Sequence, residues 1–254
     1  MPSLLKRPMS EAFEYIPSRG RQELFIFGDH ASRHIPSEYN NLGLSGDDLT
    51  RHIAWDIGTE TIIRNLCAHF GCGGQLAGVS RLVIDLNRDL GADGLIPATS
   101  DGSVIAANQN LTAEDRQDRV ARFYAPYHVA LGGTLDRLDN PLVLSVHSFT
   151  PQPREGARRL TDIGLLVKHD FETAELFQAG FETYPHYKVE INKPYSAYDL
   201  NHTIDVHVGP RGLRHLAIEI RQDLVDTSEG CETITQVLID KLAPIINRAH
   251  ICTA

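Results

Sequence analysis

The stretch PLVLSVHSFTP, residues 141–151, decides the fold. Leucine and β-branched residues run from Leu142 into His147, and Ser148, Phe149, Thr150 and Pro151 follow as a polar turn. A short apolar run bounded by turn residues reads as a strand buried on both faces. Its end delivers an imidazole to the rim of a sheet. Working outward, strand-like and helix-like segments alternate. ELFIFGDH (23–30) reads as a strand breaking at Gly28, and residues 47–71 have helical apolar spacing ending at Gly71. Residues 75–90 give one or two strands, and 112–138 a helix opened by a Thr112/Asp115 capping box. Strands are expected at 141–147, 162–170, 187–195 and 213–224, and helices at 172–184 and 231–250. Such alternation predicts an α/β protein, a three-layer α/β/α sandwich around a mostly parallel mixed sheet. With no internal repeat or low-complexity linker, the chain reads as a single domain over residues 1–254.

Composition narrows the partners. The net charge of −9 and the absence of a basic block argue against nucleic acid or an anionic membrane as the main partner. No apolar run approaches the roughly 20 residues of a membrane helix. The opening segment MPSLLKRPMSEAFEYIP lacks a signal peptide's apolar region and cleavage site. The four cysteines, Cys67, Cys72, Cys231 and Cys252, form no CxxC pair and read as reduced thiols of a cytoplasmic protein.

In open parallel sheets, ligands lie beyond the carboxyl ends of the strands. Polar residues at those ends are therefore the candidates: Asp29-His30, Asn87-Arg88, His147-Ser148 and Glu219. A lone histidine at such a place is more often a structural hydrogen bonder, but two at the ends of one sheet reinforce each other as metal ligands. A catalytic zinc takes about three protein ligands plus water. Asp85, inside the run RLVIDLNRD, is expected to pair with an arginine, and Arg88 offers a planar fork suited to a carboxylate. Alternation puts Ala217, Glu219 and Arg221 on one side of their strand. A glutamate there is costly to bury unless paired with Arg221 or a lysine, or set near a cation. Near a metal it would suit a group that takes a proton from water.

In order, DHASRHIP, SRLVIDLNRDL, VLSVHSFTP and LAIEIRQDL resemble the N-formylglutamate amidohydrolase family over roughly residues 20–245. That family is similar in fold to the zinc-dependent exopeptidases, including the metallocarboxypeptidases. The resemblance implies that His147, followed by Ser148, is a zinc ligand, and that His30 fits the histidine of the exopeptidase His-x-x-Glu segment. It implies that Asn87 and Arg88, similar to VDxNRN, hold a substrate carboxylate, and that Glu219 is the catalytic glutamate. Three residues after His30 stands Arg33 rather than a carboxylate. The family's acidic residue in the following segment makes Asp56 the candidate third ligand, with Asp29 and His52 as alternatives.

The implied chemistry uses one Zn2+ ion on His30, Asp56 and His147 to hydrolyse a small anionic N-acyl amino acid. N-formyl-L-glutamate, cleaved to formate and glutamate late in histidine degradation, is the expected substrate. A second cation for its other carboxylate would come from Arg33, Arg81, Arg211 or Arg221. Residues 195–212, rich in Tyr, His and Gly, read as a substrate-facing loop, with His202 and Arg211 as further contacts. Two other readings stand beside this one. The first is a carboxypeptidase-like zinc metallopeptidase. The second is a metal-free binding protein on a decayed enzyme scaffold, which a cation at Arg33 beside His30 would favour.

Overall fold

Alternate residues of a strand face opposite sides of a sheet, and the central strands here are apolar on both. A computed structural model describes residues 10–248. In chain order it contains β1 (Phe13–Ile16), β2 (Leu24–Gly28), α1 (Thr59–Phe70), β3 (Gly73–Ala77) and a two-strand ribbon of β4 (Thr99–Ser100) and β5 (Ser103–Val104). Then come α2 (Ala113–Arg119), α3 (Ala125–Leu135), β6 (Leu142–Phe149), β7 (Ile163–Leu166) and α4 (Phe171–Ala179). The chain continues with β8 (Val189–Ile191), β9 (His215–Arg221) and α5 (Ser228–Arg248). Seven strands form one sheet in the order β1-β3-β2-β6-β9-β7-β8. β3, β2, β6 and β9 run parallel, whereas β1 is antiparallel to β3 and β7 antiparallel to β9.

Leu24 and Ile26 of β2, Leu144 and Val146 of β6, and Leu216 and Ile218 of β9 pack in one core with Ile62, Phe177 and Leu238 from α1, α4 and α5. The opposite parity, Phe25, Phe27 and Val143, packs against Tyr127 and Leu131 of α3 and the buried loop residues Val83 and Leu86. Two cores separated by one sheet make the three-layer α/β/α sandwich. No helix among the described residues is long and apolar enough to cross a membrane.

Two expectations change. The helix expected over 47–71 starts only at Thr59, because Gly58 sits at φ 83°, a left-handed conformation that breaks helical winding. A short 3₁₀ turn, Asp48–Thr50, precedes it, and the backbone then bends so that the Asp56 amide donates to His30 O at 2.9 Å. Residues 81–90 form no strand. The Val83 amide bonds Ser80 O at 2.9 Å, the Asp85 amide bonds Leu95 O at 2.7 Å, and the Asn87 amide bonds the Asp85 side chain at 2.9 Å. These turns bury Leu82, Val83, Ile84 and Leu86 without a ladder. Asn87 and Arg88 therefore sit on a loop rather than at a strand end. β1 and the β4–β5 ribbon were not foreseen. Residues 1–9, the end of the expected C-terminal helix at 249–250, and Cys252 lie outside the described residues.

Candidate active site

Val143 faces the second core, so Ser145 and His147, two and four residues further along β6, face the same way. Parallel register pairs His147 with Glu219 on β9, bringing the two residues side by side. β2 ends beside them, and its next two residues, Asp29 and His30, turn into the same space. The result is a cavity of about 160 Å³ at the carboxyl ends of β2, β6 and β9. Asp29, His30, Asp56, Arg81, Asn87, Arg88, His147, Ser148 and Glu219 line it, with Ser145, Leu166, Tyr195, Asn201, Thr203 and Ala217 among the other walls.

At its floor His30, Asp56 and His147 are all buried, and one potential ligand atom from each lies within 4.8 Å of the others. His147 Nδ1 is 2.9 Å from Asp56 Oδ2, and His30 Nδ1 is 3.4 Å from the same oxygen. The far nitrogens have other partners. His30 Nε2 meets Asp85 Oδ1 at 2.7 Å, and His147 Nε2 lies 3.0 Å from Ser145 Oγ. His30 Nδ1 is buried with no hydrogen-bond partner. A proton on His30 Nε2, fixed by Asp85, leaves the Nδ1 lone pair facing Asp56, as in a carboxylate–histidine–metal arrangement. Donors about 2.0–2.2 Å from a tetrahedral zinc stand about 3.4 Å apart, close to the spacing seen here. The donor set fits such an ion.

The electrostatics agree. Burial, the largest influence, works against charge on His30, as does Arg81, yet Asp85 and Asp56 raise its pKa above the ordinary value. Burial likewise opposes charge on His147, but its bond to Asp56, with Glu219 and Asp29 nearby, pushes it up to about 9. Burial would raise Asp56; His30, His147 and Arg81 instead hold it well below the usual carboxylate range. Asp85 is lowered against burial by His30 and Arg81. These are groups that gather around positive charge. Glu219 behaves differently. Burial, with Asp56 nearby, pushes it up to about 7, only partly offset by His147, His30 and Arg81.

The remaining expected contacts divide. Arg88 lines the cavity, and its guanidinium makes no hydrogen bond or ion pair among the described residues. Asn87 also lines it, while its Oδ1 accepts the Thr203 amide at 2.9 Å. Arg81 is committed to Asp56 at 3.1 Å and Asp85 at 2.9 Å. The Ser148 hydroxyl donates to Ile57 O at 2.8 Å. Arg33 is exposed and lies over Trp55 at 5.3 Å, outside the cavity, so it places no cation on the histidines. Arg211 pairs with Asp136 at 2.7 Å and Arg221 with Asp162 and Asp223, both away from the cavity. His202 does not line it, and His52 lies 3.4 Å from Asp101 instead. Asp29 stands 3.7 Å from the far nitrogen of His147 and accepts Tyr127 Oη at 2.7 Å. The segment 195–212, expected to face the substrate, does supply walls, through Tyr195, Leu200, Asn201, Thr203 and Ile204 in place of the His202 and Arg211 expected from it. Sequence reasoning missed Ser145, which shares the His147 parity and was findable.

The model of the N-formylglutamate amidohydrolase family matches residues 23–225. The crystal structure of a gene product from Agrobacterium tumefaciens is 30% identical, covering 94% of this chain and 96% of that one, with a TM-score of 0.89. An N-formylglutamate amidohydrolase from Ralstonia eutropha is 21% identical, covering 94% of this chain and 99% of that one, with a TM-score of 0.75. A search of curated proteins finds no match.

Proposed function

We propose, for a chain that belongs to the N-formylglutamate amidohydrolase family, a zinc-dependent hydrolysis of the amide of a small N-acyl amino acid, N-formyl-L-glutamate to formate and L-glutamate. The observation that carries this reading is the convergence of His30, Asp56 and His147 beside Glu219. Those three residues would hold the ion. When bound, it would supply Lewis-acid polarisation of the amide carbonyl and acidify a water at the site.

The other steps belong to side chains of this chain. Glu219, with a pKa near neutrality, is suited to take the proton of the attacking water and pass it to the leaving amine nitrogen. Arg88, whose guanidinium makes no hydrogen bond or ion pair among the described residues, grips a substrate carboxylate, with Asn87 beside it, and so sets the scissile amide against the metal ligands. Asp85 and Arg81 hold His30 and Asp56 in place from behind. Atoms balance as one water added, one C–N bond broken, and formate and an amine released. We further propose a single hydrolytic domain working in the cytoplasm, where the buried thiols of Cys67, Cys72 and Cys231 stay reduced.

Metal content of the purified protein, measured beside formate release from N-formyl-L-glutamate and residue release from peptides, tests the reading. About one zinc per chain with formate release is expected. Release of peptide C-terminal residues without formate would replace the substrate class. No metal after reconstitution would remove the chemistry.

A further inference from the structure

Arg88 has no strand or helix beneath it, and its guanidinium makes no hydrogen bond or ion pair among the described residues. Its position therefore depends on what grips the backbone of residues 86–88. Two elements do so. From the α3 side, His128 Nε2 donates to Leu86 O at 3.0 Å and Tyr124 Oη donates to Arg88 O at 2.9 Å. From residues 201–208, Thr203 donates through its amide to Asn87 Oδ1 at 2.9 Å and through its hydroxyl to Leu86 O at 3.3 Å.

A tyrosine hydroxyl has one proton. With that proton on Arg88 O, Tyr124 Oη must accept from His202 Nε2, which lies 2.7 Å away. His128 is read the same way. Its Nε2 proton is spent on Leu86, so Nδ1 accepts from His207 Nε2 at 2.8 Å. Both gripping elements carry a π-helical turn, Val120–Tyr124 and Ile204–Val208, the two such turns among the described residues. Such turns concentrate at functional sites. Neither Tyr124 nor His202 lines the cavity.

We propose that Tyr124 and His202 are positioning residues, whose relay His202–Tyr124–Arg88 O holds the Arg88 guanidinium where the substrate carboxylate arrives. The inference rests on the reading of Arg88 as the carboxylate site. Pre-ordering an arginine removes an entropic cost from binding and touches none of the bonds that change. The relay therefore acts chiefly on substrate affinity and only slightly on the chemical step.

The test is a set of variants assayed on the metal-loaded full chain with N-formyl-L-glutamate, alongside calorimetric binding of the product L-glutamate. Tyr124→Phe keeps the ring and deletes the relay. KM and the glutamate Kd are expected to rise about 3- to 10-fold, the worth of one such hydrogen bond, with kcat within about twofold. His202→Ala should match it, and His202→Gln, which retains a donor, should recover most of the loss. On an Arg88→Ala background, Tyr124→Phe should add nothing. A kcat loss as large as the KM change, or an effect that adds to that of Arg88→Ala, would overturn the relay. Unchanged KM in Arg88→Ala alone would instead remove the carboxylate reading of Arg88, and the proposal with it.

Discussion

Asp85 decides what His30 can do. An imidazole binds a metal through the nitrogen that lacks a proton, and the partner of the other nitrogen sets which one that is. Asp85 Oδ1, 2.7 Å from His30 Nε2, keeps the proton there and turns Nδ1 toward Asp56. Asp85→Asn is expected to weaken zinc binding by about 10- to 100-fold, measured by titration against a competing chelator. Unchanged affinity would show that His30 needs no such partner. Glu219→Gln should bind zinc normally and lose at least ~100-fold in kcat, the scale of general-base loss; near-normal turnover would take Glu219 out of the mechanism. At this scale much of the site was legible. His30, His147 and Glu219 interrupt or end apolar strands, where a polar side chain is conspicuous. The Asp85–His30 partnership spans 55 residues, and only Asp85's second bond, to Arg81 four residues back, could be anticipated. Arg33 lies in a loop, and His202 and Arg211 in short helical turns too brief for a period to tell which way a side chain points.

Among the elements, the strands were the legible part. Residues 24–28, 142–149 and 215–221 announce themselves because apolar residues fall on both parities, as facing two cores requires. Leu82, Val83, Ile84 and Leu86 are as buried yet lie in turns, since a short apolar run reports burial and leaves the backbone conformation open. The start of α1 misled for a related reason. Residues 47–58 have helical apolar spacing, yet Gly58 in the left-handed region cuts the helix at Thr59 and leaves Asp56 free to enter the site. A Cβ on Gly58 would stand 2.8 Å from Val225 Cβ as well as adopting a conformation unfavourable to L residues. Gly58→Ala is expected to cost about 1–3 kcal/mol, seen as a lower Tm, and to weaken zinc binding through Asp56 two residues away. Gly212, at φ 62° with nothing within 4 Å of a Cβ, is the control. Gly212→Ala should lose stability through backbone strain alone and keep its zinc affinity. Equal zinc affinities in the two variants would show that the Gly58 turn does not set Asp56.

Over the whole molecule, the sandwich was legible because strands and helices alternate, and a sheet with two apolar faces must be covered twice. The polar seam between α3 and the segment before β9 was hidden, because stacking His128 on His207 at 5.0 Å requires the folded chain. That seam gives stability a pH dependence. Burial, with neighbouring His207 and His202, lowers His128 to about 3. Burial, with Arg211 and His202, lowers His207 to about 4, against a raising influence from Asp136. Unfolded histidines titrate near pH 6.5. The folded state therefore binds fewer protons than the unfolded one between those limits. The contribution of the pair is complete above about pH 6.5, drains as the pH falls, and is gone once the folded pKa values are passed. Each group adds at most about 1.4 kcal/mol per pH unit to the slope. Urea unfolding at several pH values between 7.5 and 4.5 measures this. The wild type should lose stability more steeply between pH 6 and 5 than His128→Gln, by about one proton's worth of slope, while the two run parallel above pH 7. Parallel curves throughout would mean that the fold accepts a proton on His128, which the bonds to Leu86 O and His207 Nε2 leave no room for.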